Sequence, residues 1–172
     1  MLFQREMTAE EFLEYADRHP DKRFDFIDGE MVEVSPKAVH GGLQVEFAAV
    51  FRNYLKQNPI GKAYTEVLHV LGGKKYMPDV CINVPTTEDY FNEIPPLVAV
   101  EIRSDSQSKT AQRKKAVEYI QNGTKMSILV FPSEGIEVYR PGRDPQVLSG
   151  DDVLDGEDVL PGFNVPVKEL LG

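Results

Sequence analysis

The stretch LVAVEIRSDSQ, residues 97–107, reads as a buried strand that turns ionic at its end. Leu97, Val98, Ala99 and Val100 are continuously apolar, Glu101 intervenes, and Ile102 and Arg103 follow. A continuous apolar run of this kind fits the middle of a sheet covered on both faces. A carboxylate in such a run is expensive to bury unless it finds a partner. Both the fold and the chemistry depend on what that partner is.

Outward from this strand, the pattern is regular in both directions. After the Ser/Asp turn, residues 109–122 have helical spacing, with Ala116, Tyr119 and Ile120 on one side and Gly123 as the stop signal. Met126–Phe131 and residues 136–140 are predicted strands, and Pro141-Gly142 is a turn before short elements in an acidic tail. Upstream, residues 64–71 and 76–84 read as strands, the second interrupted early by Pro78, and residues 85–96 as a loop rich in Thr, acids and Pro. Residues 39–56 repeat Leu43, Phe47, Val50, Phe51, Tyr54 and Leu55 at helical spacing. Before them, Asp28-Gly29 predicts a hairpin of Arg23–Ile27 with Glu30–Val34, ending at Ser35-Pro36. Thr8 followed by Glu11 fits a capping box that opens a first helix. The expected fold is therefore mixed α/β, one domain over residues 1–172, with a central mixed sheet flanked by helices.

Composition narrows the class. The 172 residues are 41% hydrophobic and 27% charged, as in an ordinary globular chain. No apolar run approaches the roughly 20 residues of a membrane span, so no membrane is expected as a partner. Acids follow soon after the short apolar start, so no signal peptide is expected. The one cysteine, Cys81, has no internal disulfide partner, which fits a reducing cytoplasm. His19, His40 and His69 lie far apart with no zinc-ligand spacing. A net charge of −9 argues against a general nucleic-acid binder, whose affinity comes largely from neutralising phosphates. Local basicity persists, however, at Lys109, Arg113, Lys114 and Lys115 and at Lys74-Lys75.

Glu101 has a candidate partner in KKYMPDV, residues 74–80, where Asp79 follows Pro78 at the head of the apolar run Val80, Cys81, Ile82. Adjacent strands would bring Asp79 and Glu101 to one sheet edge. Two carboxylates so placed repel each other unless a cation lies between them. Mg²⁺ suits that position, because it takes one or two carboxylates and keeps several waters. The bland alternative is that Asp79 caps a turn while Glu101 pairs with Arg103 or Lys115.

Pro78-Asp79 followed by Glu101-Ile102-Arg103 resembles the PD…(D/E)xK signature of the restriction-endonuclease-like superfamily. The wider pattern is similar to the Uma2 family, also called DUF820, whose implied activity is endonucleolytic. The matching residues are Gly29-Glu30, Ser35-Pro36, His40, Pro78-Asp79, Glu101-Ile102-Arg103-Ser104, and then Lys115, Tyr119 and Gly123 in a Lys-x-x-x-Tyr-x-x-x-Gly helix. The resemblance implies a restriction-endonuclease-like core and a Mg²⁺- or Mn²⁺-dependent endonuclease. Asp79, Glu101 and the carbonyl of Ile102 would be the metal ligands, and Asp79, Glu101 and Lys115 the catalytic set. Nucleic acid, DNA before RNA, is the implied substrate, and a homodimer is among the expectations.

The sequence also departs from the pattern. Arg103 stands where the superfamily prefers Lys, and arginine cannot serve as a general base. Lys115, on the following helix, is the expected substitute. The family's Ser-Pro-Ser-Thr turn is Ser104-Asp105-Ser106-Gln107 here, and Met126-Ser127 replaces its Tyr-Trp pair. Glu30, His40, Arg103, Lys109 and Arg113 complete the expected substrate-binding or site-wall residues. Glu30 has an ordinary reading too as a solvated hairpin acid, Lys109 and Arg113 as cations on a solvated helix face, and Arg103 as a structural ion pair with an acid. For His40 the role is a substrate contact or a cap. Tyr119 reads as core and His69 as a packed strand residue. Two rival functions stay open, a catalytically inactive interaction module on the nuclease fold and a hydrolase of a small phosphoester.

Overall fold

The structure is a computed structural model that describes residues 7–20, 23–27, 30–34, 37–105 and 107–172. It forms two compact units, Met1–Lys37 and Ala38–Gly172. In the first, helix α1 (Ala9–Asp17) is opened by the Thr8–Glu11 capping box, whose two reciprocal hydrogen bonds satisfy backbone donors at the helix start. Strands β1 (Arg23–Ile27) and β2 (Glu30–Val34) pair antiparallel from Arg23↔Val34 to Ile27↔Glu30. The Asp28-Gly29 turn and Ser35-Pro36 lie outside the described residues.

The second unit runs α2 (Ala38–Gln57), β3 (Lys62–Thr65), β4 (His69–Leu71), β5 (Lys74–Tyr76), β6 (Val80–Asn83), β7 (Phe91–Asn92) and β8 (Val98–Ile102). It continues with α3 (Lys109–Gln121), β9 (Met126–Phe131), β10 (Gly135–Tyr139), β11 (Gln146–Leu148), β12 (Val153–Asp155), β13 (Asn164–Pro166) and α4 (Val167–Leu171). Six strands make the main sheet in the order β11-β10-β9-β8-β6-β3, and β8 with β9 is its one parallel pairing, bridged by α3. This is the mixed α/β architecture with a central mixed sheet and flanking helices.

The continuous apolar pattern of the opening stretch follows from this position. Val98, Val100 and Ile102 point to the face covered by Leu43, Phe47, Phe51 and Leu55 of α2. Ala99 points to the other face, where Tyr119 of α3 packs, and Ala116 of α3 meets Leu129 of β9 there. Both faces of β8 are thus dry, and every residue from Val98 to Ile102 is buried. Glu101 alternates with its neighbours and so faces α3.

Two predicted strands are each split in the structure. Residues 64–71 divide into β3 and β4, which lie in different sheets, because Glu66 adopts a left-handed φ of 54° and donates its N–H to the Pro78 carbonyl. Residues 76–84 divide at Pro78, which has no N–H to give a ladder. The upstream half joins the small sheet β5-β4-β7, whose β4–β5 hairpin turns on Gly72 and Gly73, both at positive φ.

Candidate active site

Strands β6 and β8 run antiparallel with Val80 opposite Val100 and Cys81 opposite Ala99. One step further, the same register sets Asp79 opposite Glu101 and Pro78 opposite Ile102. The predicted carboxylate pair therefore meets at one end of the two central strands. Oδ2 of Asp79 accepts the Ile102 N–H at 2.6 Å, and the Pro78 carbonyl opposite Ile102 accepts the Glu66 N–H. That charge-assisted bond fixes the Asp79 carboxylate relative to the Glu101 strand.

Two helices on opposite faces supply the remaining contacts. From α2, His40 Nε2 lies 3.2 Å from Oδ1 of Asp79, and Gln44, one helical turn on, donates from Nε2 to the Asp79 carbonyl at 3.0 Å. From α3, Lys115 Nζ lies 2.8 Å from Oε1 of Glu101, and the Tyr119 hydroxyl donates to the same oxygen at 2.8 Å. Lys115 and Tyr119 are four residues apart and share one face of α3, as helical geometry requires. Ser108, whose side chain accepts the Ala111 N–H, caps the helix and sets where that face begins.

Burial raises the Glu101 carboxyl above the ordinary carboxylate range, and the charge of Asp79 adds to the rise, while Lys115 and Tyr119 oppose it. The Tyr119 phenol is pushed well up by burial and by Glu101, so it stays a hydrogen-bond donor. Burial and the Glu101 charge push the Cys81 thiol up to about 12, which makes it an unreactive core residue.

The donor set suits a hard divalent cation. Two carboxylates converge in a low-dielectric site, where the charge of Asp79 makes Glu101 costlier to ionise, and a cation relieves that repulsion. Among the described residues no group of three or more His, Cys, Asp or Glu side chains gathers. A closed zinc-type cage is therefore a poor fit, whereas Mg²⁺ or Mn²⁺ needs only one or two carboxylates plus water and phosphate oxygens. The Ile102 carbonyl is a reasonable third donor, since Pro78 opposite it has no N–H to occupy it.

The other predicted residues lie in more varied settings. Arg103 extends the strand ladder through its N–H to the Val130 carbonyl at 2.9 Å, and its Nε reaches the Gln107 carbonyl at 3.5 Å. Lys109 pairs with Glu134 at 2.8 Å over the Phe131 ring. Arg113 grips both carboxylate oxygens of Glu137, which also accepts the Tyr139 hydroxyl. Those two cations are thus engaged by acids of the same fold. The backbone of Glu30 belongs to β2 in the first unit. His69 is fully buried, stacked on Phe91 and hydrogen-bonded to Val67 and Asn83, and burial lowers its pKa, so it is a neutral packed residue.

Sequence reasoning missed two contributors. Tyr119 was legible as core, but its hydroxyl reaches Glu101. Gln44 carried a faint signal in its spacing of four from His40. The position of the whole α2 face against Asp79, a contact across 35 residues, had none.

The Uma2 family, described as "Putative restriction endonuclease", matches the chain over residues 9–168. No curated protein gives a significant match. Among solved structures, a protein of Anabaena variabilis ATCC 29413 described as "a putative nuclease belonging to DUF820" is similar, with a TM-score of 0.78 and 25% identity. That similarity covers 96% of this chain and 97% of the other. With the family match spanning nearly the full length and the fold shared from end to end, this chain belongs to the Uma2 family.

Proposed function

We propose that the protein is a Mg²⁺- or Mn²⁺-dependent phosphodiesterase that cleaves nucleic acid, with DNA as its substrate. The observation that carries this reading is the convergence of Asp79 and Glu101 from adjacent strands, with Lys115 on Glu101. The family description and the nuclease-type relative support the same class.

Asp79, Glu101 and the Ile102 carbonyl would hold the metal. Bound there, the metal would act as a Lewis acid on the phosphoryl oxygens and lower the pKa of an attacking water. The chain's own residues do the positioning. The Ile102 N–H orients Asp79 from within the sheet, so the carboxylate does not have to reorganise when substrate arrives. Lys115, a third exposed, reaches both Glu101 and solvent, so its ammonium is available to a phosphoryl oxygen as negative charge develops. Arg103, a residue that cannot act as a general base, takes no proton in this scheme.

A second reading, hydrolysis of a small phosphoester, is favoured by one observation. Lys109 and Arg113 are held by Glu134 and Glu137, which weakens the basic track that a long polyanion needs. One panel separates the two: single- and double-stranded DNA and RNA beside a small aryl phosphodiester, each with Mg²⁺, Mn²⁺ or chelator. The proposal expects metal-dependent cleavage of DNA that is lost in Glu101→Ala. Turnover of the small ester alone supports the second reading, and turnover of nothing supports an inactive module.

A further inference from the structure

The Tyr119 side chain is fully buried, its ring packed with Tyr76, Leu71 and Ala99. For packing alone, phenylalanine fills this space without a hydroxyl to desolvate. Here the hydroxyl is spent on one partner, Oε1 of Glu101, itself only 7% exposed. Lys115 takes the same oxygen at 2.8 Å. No hydrogen bond among the described residues goes to Oε2 of Glu101. Two donors one helical turn apart therefore pin one carboxylate oxygen and set the plane of the group.

The ring is held from a second side. Its neighbour on α3, Glu118, accepts the Tyr76 hydroxyl at 3.1 Å and lies 3.4 Å from Lys74. The β4–β5 hairpin is thus tied to α3 beside Tyr119, and this restricts the travel of the ring.

We propose that Tyr119 is a positioning residue for the metal centre: by holding Oε1 of Glu101 with Lys115, it leaves Oε2 as the oxygen that ligates the cation. This rests on the metal-site reading above. Residues that hydrogen-bond metal-ligating carboxylates fix ligand orientation, and their loss typically costs about 10–100-fold in metal affinity. A ring that only packs contributes to stability and leaves affinity alone.

The test is isothermal titration of Mn²⁺ into the metal-free protein, its Tyr119→Phe variant and its Asp79→Ala variant, with melting temperatures recorded beside each. The expected result is loss of Mn²⁺ binding in Asp79→Ala and a drop of about 10-fold or more in Tyr119→Phe, which keeps the ring and a cooperative melt. If Asp79→Ala loses binding while Tyr119→Phe binds like the parent, the positioning role is overturned and the metal site stands. A lowered melting temperature with unchanged affinity likewise reduces Tyr119 to packing. If Asp79→Ala binds Mn²⁺ like the parent, the metal-site reading fails and takes this inference with it.

Discussion

Lys115 Nζ lies 2.8 Å from Oε1 of Glu101, whereas Lys114, the preceding residue, is three-quarters exposed and only approaches Glu118 at 4.0 Å. One residue along a helix is a rotation of about 100°, enough to separate an inward cation from a solvated one. The pair is an internal control for the cation's role.

Lys115→Ala should nearly abolish cleavage, because loss of one preorganised charge contact typically costs on the order of 10²–10³ in rate. Lys114→Ala should weaken substrate binding mildly, and less so at high salt. Steady-state kinetics on both variants at two ionic strengths make the comparison. Equal, mild effects from the two would remove Lys115 from the site.

The raised Glu101 carboxyl has a stability consequence in chelator. Its folded-state pKa lies above the unfolded value of about 4.3, so the folded protein holds the proton more tightly. Stability from this group is complete below that value and is lost as pH rises toward the folded pKa. Glu101→Gln removes the charge, so its melting temperature should match the parent near pH 4 and exceed it at pH 8, the difference growing only until the folded pKa is passed. Thermal melts of the two proteins across that range decide it; a variant less stable than the parent at pH 8 contradicts the assigned burial cost.

Arg103 is tied into the sheet through its backbone N–H, and its side chain reaches the Gln107 carbonyl at 3.5 Å and helps Lys109 hold the Glu134 carboxyl below its usual range. Arg103→Lys restores the residue that the wider superfamily favours and should retain cleavage with little change in melting temperature. Complete loss of cleavage with unchanged stability and Mn²⁺ affinity would place Arg103 in the reaction itself.

What the sequence revealed, and what it hid, has a physical pattern. The central strands were legible because burial on both faces leaves continuous apolar runs, and Glu101 stood out against one of them. Asp79 was legible from the Pro-Asp step, and Lys115 with Tyr119 from a spacing of four on a helix. Hydroxyl and ammonium positions were less so: the pattern places a ring on the core face and is silent on where its oxygen ends. The breaks at Glu66 and Pro78 show another limit. A left-handed glutamate has no sequence signature, and a proline announces an interruption without saying that the two halves enter different sheets. The pairing of Arg113 with Glu137 joins residues 24 apart, and it depends on how α3 lies over β10.

The most direct test of the central claim is conversion of supercoiled plasmid by the purified parent and by Glu101→Ala, each with Mn²⁺ and with chelator. The Asp79–Glu101 site predicts nicked and linear product from the parent with Mn²⁺, none in chelator and none from Glu101→Ala. Product formed equally by the parent and Glu101→Ala, or equally with and without chelator, would contradict it.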